Sequence, residues 1–280
     1  MRSFILIGLF MQVLLLNQAY AEQKSNNDNL RIIALAPHAV EMLYALGAGK
    51  NIVGTVEYAD YPEAAKTIRR IGNYAGIQIE QLVALKPDLI VAWKSGNRAE
   101  DLAKIESLGF PIYYTSPQTI NEVFTDLANL GEKTGQINEA KEIVAELKTE
   151  YSKIKQRYNN KRKVKVFYQL WHDPTRTIGK DSWINSMIED CNGINIFSDT
   201  DAGYPLVAFE TVVVKNPEVI IIPHHSGEQG AKVDIWKKWQ EVDAVKNDRL
   251  SVLNGDLLHR FSPRAIEGLS KLCGAIDTAR

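Results

Sequence analysis

Two stretches of this 280-residue chain align without a gap: YAGIQIEQLVALKPDLIVAW, beginning at Tyr74, and YPLVAFETVVVKNPEVIIIP, beginning at Tyr204. Tyr74 falls on Tyr204, Glu80 on Glu210 and Pro87 on Pro217, and each proline opens an acidic then apolar strand pattern. A tyrosine, a glutamate, a proline and a strand in common register point to two related halves with pseudo-twofold symmetry. A chain of this length also exceeds what one hydrophobic core usually serves.

The surrounding sequence fits that division. In the first half, β-branched runs alternate with helical stretches: RIIALA with HAVEMLYALG, then NIVGTV, PDLIVAW, RAEDLAKIESLG and PIYYTS. This is the grammar of βα units around a parallel sheet. From residue 121 to about 160 the strand signal stops, and Ile143, Leu147, Tyr151 and Ile154 recur at helical spacing. The alternation then restarts with KVKVFYQLW, SWINSMIEDCNG, PEVIIIPHH, a helical DIWKKWQEV, RLSVLN and a last helix from Pro263. The expected fold is therefore α/β: two similar Rossmann-like lobes with mostly parallel sheets, 30–120 and 161–280, joined by a long connecting helix within 121–160.

The amino terminus sets the compartment. Arg2, an apolar run from Phe4 to Leu16 and the small-x-small ending Ala19-Tyr20-Ala21 read as a signal peptide over 1–21, cleaved near Ala21. The apolar run is shorter than the roughly 20 residues a bilayer core requires. Residues 22–29 read as a disordered leader, and the mature chain is expected to be periplasmic and soluble. Only Cys191 and Cys273 occur, and in an oxidising compartment such a pair reads as bridged, the alternative being two buried free thiols. A net charge of −1 with no basic block argues against a nucleic-acid partner.

Ligands of open α/β sheets bind beyond the carboxyl ends of the strands, so two facing lobes predict a cleft lined by the residues found there. The first lobe supplies Pro37, His38, Tyr58, Tyr74 and Trp93. The second supplies Trp171-His172, Tyr204, His224-His225, Asp256 and His259-Arg260. The set is rich in aromatics and poor in acids, which suits a large flat ligand gripped by its faces and oriented by few polar groups. Any one of these aromatics can equally be core packing; Trp183, Trp236 and Trp239, inside helical patterns, are read that way. His38, at the first strand-to-helix junction, could place a neutral imidazole on a cobalt or iron held in a macrocycle.

Glu80 and Glu210 each open a corresponding helix, where a carboxylate favours the N-terminal dipole. One acid on each lobe could also pair with arginines of a two-subunit transporter, giving registry and on-rate. Enzyme signals are weak: GKDS at 179–182 lacks the upstream glycine of a phosphate loop, and no G-x-S-x-G elbow occurs. His224-His225 suggest a secreted metal-dependent hydrolase as a rival, without partners at supporting sequence spacing.

The segments RIIALAPHAVEMLYALGAG, VGTVEYADYP, IEQLVALKPDLIVAWKSGN, VFYQLWHDPTRTIGKDS and HRFSPR closely resemble the periplasmic cobalamin-binding proteins, within the helix-hinged solute-binding group that also serves haem and siderophores. The likeness covers nearly all of 31–273. It implies corrin contacts from Tyr58, Tyr74, Trp93, Tyr204, Asp256 and Arg260, with Pro37-His38 beneath the ring. It also implies docking to an inner-membrane ABC permease and its ATPase through Glu80 and Glu210, and a bridge between Cys191 and Cys273. The chain departs from that pattern at Tyr74 and Tyr204, where a cobalamin binder carries tryptophan, and at His38, where it carries a small residue. Tyrosine and histidine also ligate haem iron, so a haem or ferric-siderophore carrier of the same fold is the first rival. The chain is expected to act as a monomer, to hold no cofactor or metal of its own and to catalyse nothing.

Overall fold

The computed structural model describes residues 29–225 and 231–280. The signal peptide expected over 1–21, and all but the last residue of the leader 22–29, lie outside the described residues.

The chain divides into two compact units. In the first, the apolar runs become strands β1 (Ile32–Ala34) and β2 (Ile52–Thr55), separated by helix α1 (Pro37–Ala45). Pro37 occupies the first turn of α1, where its missing N–H costs nothing. A two-residue pair, β3 (Gly72–Asn73) and β4 (Gly76–Ile77), leads into α2 (Ile79–Ala84), β5 (Leu89–Trp93), α3 (Ala99–Ser107) and β6 (Ile112–Thr115). The sheet is parallel throughout, in the order β2-β1-β5-β6. Its central strands β1 and β5 are buried on both faces, which is why they read as unbroken apolar runs; Ile33, Leu35, Ile90 and Ala92 pack with Val56, Ile71 and Leu82 from the flanking segments.

The connecting region holds two helices, α4 (Ile120–Thr134) and α5 (Ile137–Tyr158). The long helix read from the periodicity is α5, and its predecessor is set off from it by Gly135, whose φ of +73° ends the helical run. Gly131 lets the two helices approach, since a Cβ there would sit 2.4 Å from that of Ala140. Both unit boundaries fall inside these helices: the first unit runs to Ser116 and takes in Leu127–Ile143, and the second holds Pro117–Asp126 and Val144–Arg280. Helical periodicity carries no mark of such a boundary.

The second unit repeats the plan. It contains β7 (Val164–Tyr168), the small pair β8 (Trp171–His172) and β9 (Thr175–Arg176), α6 (Trp183–Asp190) and β10 (Gly193–Asn195). Then follow α7 (Phe209–Lys215), β11 (Val219–His224), α8 (Asp243–Lys246), β12 (Leu250–Asn254), α9 (Gly255–His259) and α10 (Ala265–Asp277). Its parallel sheet runs β10-β7-β11-β12, the same order as the first when the long strands of each unit are counted in sequence. DIWKKWQEV, expected to be helical, forms only a 3₁₀ turn at Asp234–Trp236, because Trp236 is drawn fully into the core against Phe167 and Phe209. Trp183 is also buried, and Trp239 stacks on Phe209.

The repeat reaches details the alignment did not reveal. Lys86 and Asn216, each just before its proline, both adopt φ of +45°. Asp88 accepts a hydrogen bond from the Arg31 backbone at the start of β1 (2.8 Å), and Glu218 accepts one from Lys165 at the start of β7 (2.9 Å). Cys191, which ends α6, and Cys273 in α10 are bridged, closing an 82-residue separation inside the second unit. No helix among the described residues is long and apolar enough to cross a membrane.

Candidate functional site

In the first unit, Trp93 and the Pro37-His38 pair lie at the carboxyl ends of sheet strands, and Tyr74 lies on a separate hairpin. Trp93 is the last residue of β5. Its backbone N–H donates to Asn97 Oδ1 (2.8 Å), and Asn97 Nδ2 donates to the Leu35 carbonyl (2.8 Å), tying the ends of β5 and β1 together. The indole lies over Gly96 so closely that a Cβ there would fall 1.9 Å from a ring carbon. Behind it, His38 meets the indole edge-on, with ring centroids 5.5 Å apart.

Tyr74 projects from the tip of the β3–β4 hairpin and is 84% exposed. The hairpin is held: Asn73 Oδ1 accepts from the Ala75 N–H, Arg98 donates to the Ala75 carbonyl, and Asp101 accepts from the Ile77 N–H. Tyr58 is 71% exposed and takes the left-handed conformation, φ +65°.

The second unit contributes Trp171 (51% exposed) and Tyr204 (55% exposed). Arg176 holds the Tyr204 carbonyl, and the Trp171 indole N–H donates to the Asp173 carbonyl. Beside them is a cavity of about 790 Å³ within this unit, lined by Gln169, Trp171, Arg176, His224, His225 and His259 among others.

At the edge of this cavity lies an arrangement that sequence reading did not assemble. Tyr168 Oη is 2.7 Å from His259 Nε2, His259 Nδ1 is 3.1 Å from His225 Nε2, and His225 Nδ1 is 2.9 Å from Asp256 Oδ1. Arg260 Nη2 donates to the same Asp256 oxygen at 3.1 Å. The hydrogen bond from His225, and then the charge of Arg260, hold the Asp256 carboxyl below the usual carboxylate range, against the opposing effect of burial. Burial, then the neighbouring His225, pushes His259 down to about 3. His224-His225, Asp256 and His259-Arg260 were each visible as strand-end residues, but their union spans 31 and 34 residues, and Tyr168 sits inside a strand pattern with no polar signal. Both ring nitrogens of His225 face hydrogen-bond partners, and among the described residues no group of three or more His, Cys, Asp or Glu side chains is placed to hold a metal ion.

Glu80 and Glu210 open α2 and α7 in matching positions. Both are exposed, and neither makes a hydrogen bond or ion pair among the described residues.

Comparison with known proteins agrees with this picture. The profile described as "Periplasmic binding protein" matches residues 32–257. A vitamin B12-binding protein of Vibrio campbellii is 34% identical over 257 residues, covering 91% of this chain and 92% of that protein. The crystal structure of the periplasmic vitamin B12 binding protein of Vibrio cholerae superposes with a TM-score of 0.82 at 34% identity, over 89% of this chain and 97% of that one. The periplasmic heme-binding protein of Roseiflexus sp. RS-1 shares the fold at a TM-score of 0.77 and 23% identity, over 90% and 100%. With the doubled α/β plan, its strand-end aromatics and a profile match over most of the described residues, this chain belongs to the periplasmic binding protein family.

Proposed function

We propose that this protein is the periplasmic component of an ABC importer, that it captures cobalamin, and that it hands the corrinoid to an inner-membrane permease driven by its ATPase. The observation that carries this reading is that each unit by itself exposes aromatics, Tyr58 and Tyr74 in the first and Trp171 and Tyr204 in the second, with the backbone at Tyr74 and Tyr204 held by side-chain hydrogen bonds. Ring faces suit the flat, largely apolar corrin. Asp256 and Arg260 supply one acceptor and one donor set for the amide groups at its rim. Relatives that cover nearly the whole chain carry the vitamin B12-binding name.

His38 is 3% exposed and packs against Trp93, which favours a role supporting that indole over direct ligation of cobalt. Substituting His38 by alanine is expected to leave the visible spectrum of bound cyanocobalamin unchanged; a shifted spectrum would restore axial ligation. Glu80 and Glu210 are the docking acids in this reading, matched to a transporter with two equivalent subunits. The protein works as an exported monomer with no cofactor of its own.

A haem carrier is the second reading, favoured by the exposed phenols of Tyr74 and Tyr204, since tyrosine ligates haem iron. Titrating the purified protein with cyanocobalamin and with haemin, by calorimetry and absorbance, separates the two. Stoichiometric cyanocobalamin binding is expected; tight haemin binding with no corrinoid heat would reverse the choice.

A further inference from the structure

We propose that Tyr168, His259 and His225 form a one-way hydrogen-bonded chain whose task is to fix the Asp256 carboxylate as a ligand acceptor, with His225 and His259 as positioning residues for the binding site. The proposal rests on the corrinoid reading above and deepens it.

The direction of the chain follows from donor and acceptor inventory. The ionised Asp256 carboxylate can only accept, so His225 Nδ1 must carry the proton that meets it at 2.9 Å. If His225 stays neutral, its proton on Nδ1 leaves Nε2 as an acceptor, and His259 Nδ1 then donates across the 3.1 Å contact. His259 Nε2 is then an acceptor, and only the Tyr168 hydroxyl can supply its proton, at 2.7 Å. With both imidazoles neutral, every link points from Tyr168 towards Asp256 and each ring carries its proton on Nδ1.

The surroundings are built to keep this arrangement. Tyr168 is fully buried. Gly255 leaves room for the His225 ring: a Cβ there would lie 2.6 Å from two of its atoms. The Tyr168 and His259 rings pack edge to face at 6.0 Å, and the two imidazoles stand 5.1 Å apart. Arg260 and the chain reach the same oxygen of Asp256, anchoring that oxygen with two donors. Side-chain freedom that would otherwise be lost on binding is removed in advance, which is what preorganisation contributes to affinity. A chain serving only the fold would have no reason to end on the one acid among the predicted ligand contacts.

Two measurements test this on the intact, disulfide-bonded protein. Long-range nitrogen–proton NMR of the imidazoles reads the tautomers directly; His225 and His259 should both be Nδ1–H, and an Nε2–H form of either would overturn the direction. Calorimetry with cyanocobalamin reads the positioning. Tyr168→Phe, which removes one hydroxyl, and His259→Phe, which removes the middle link, should weaken binding by about tenfold, the scale of one lost charge-linked hydrogen bond. His259→Gln, with an amide donor and acceptor of similar spacing, should recover most of it. Wild-type affinity in both Phe variants, with melting unchanged, would refute the positioning role while leaving the corrinoid assignment standing. Absence of any corrinoid binding in the wild type would remove both.

Discussion

Gly96→Ala is the sharpest probe of whether the Trp93 indole is a ligand surface. An ideal Cβ at position 96 would lie 1.9, 2.2 and 2.3 Å from three carbons of that ring. Ordinary contact begins near 3.4 Å, so the indole must retreat by about 1.5 Å. The backbone around it cannot easily yield, because Asn97 is bonded to both Trp93 and Leu35. A ring displaced that far loses its face-to-face fit with a planar guest, forfeiting much of the roughly 1.5–3 kcal/mol that burial of a large apolar side chain contributes. Dissociation of cyanocobalamin should rise by about 10–150-fold, measured by calorimetry or by quenching of tryptophan fluorescence. Trp93→Ala should cost a similar amount, and adding Gly96→Ala to it should cost almost nothing more, since the methyl then has no ring to displace. The reasoning fails if Gly96→Ala alone binds within twofold of wild type, or if its penalty is the same with and without the indole.

The remaining expectations are independent of that one. Glu80→Arg with Glu210→Arg should leave cyanocobalamin affinity intact and abolish uptake in a cell depending on this protein; normal uptake by the double variant removes the docking role. Reducing the Cys191–Cys273 bridge frees an 82-residue separation, worth about 4.5 kcal/mol by loop entropy. That corresponds to about 9–18 °C in the melting of a body of this size, and calorimetry with and without reductant that finds less than a 2 °C change contradicts it. Because folded His259 titrates at about 3 and an unfolded histidine near 6.5, the unfolded chain binds the extra proton in between. Stability is therefore full above pH 6.5 and falls on acidification towards pH 3, by about 2.7 kcal/mol at pH 4.5; His259→Gln should flatten that decline, and an identical pH profile would refute the assignment. Lys86→Asn should raise stability by about 0.5–1 kcal/mol by relieving a left-handed lysine, read by denaturant unfolding; no gain would mean that Lys86 is not strained.

Much of this was legible before any coordinates. The Tyr74/Tyr204 and Glu80/Glu210 register gave two like units, and the period-free apolar runs gave parallel sheets, because strands covered on both faces need no polar alternation. The strand patterns put Trp93 at the end of β5 and Asp256 just past β12. What stayed hidden depends on contacts between distant segments. Tyr168 looks like any core aromatic of β7, and its meaning arises only when His259 arrives from 91 residues away. Gly96 gives no sign in sequence that an indole rests on it. DIWKKWQEV has helical spacing, yet burial of Trp236 overrides it, as tertiary packing commonly overrides local preference.

The matched clamps and the paired φ of +45° at Lys86 and Asn216 mean that one backbone design is executed twice in a single molecule with different residues. Any substitution in one half therefore has a natural control in the other, under identical solvent, temperature and concentration. Swapping Lys86 with Asn216, or Asp88 with Glu218, would measure how far a side chain's worth depends on its neighbours, with the geometry of the chain held constant.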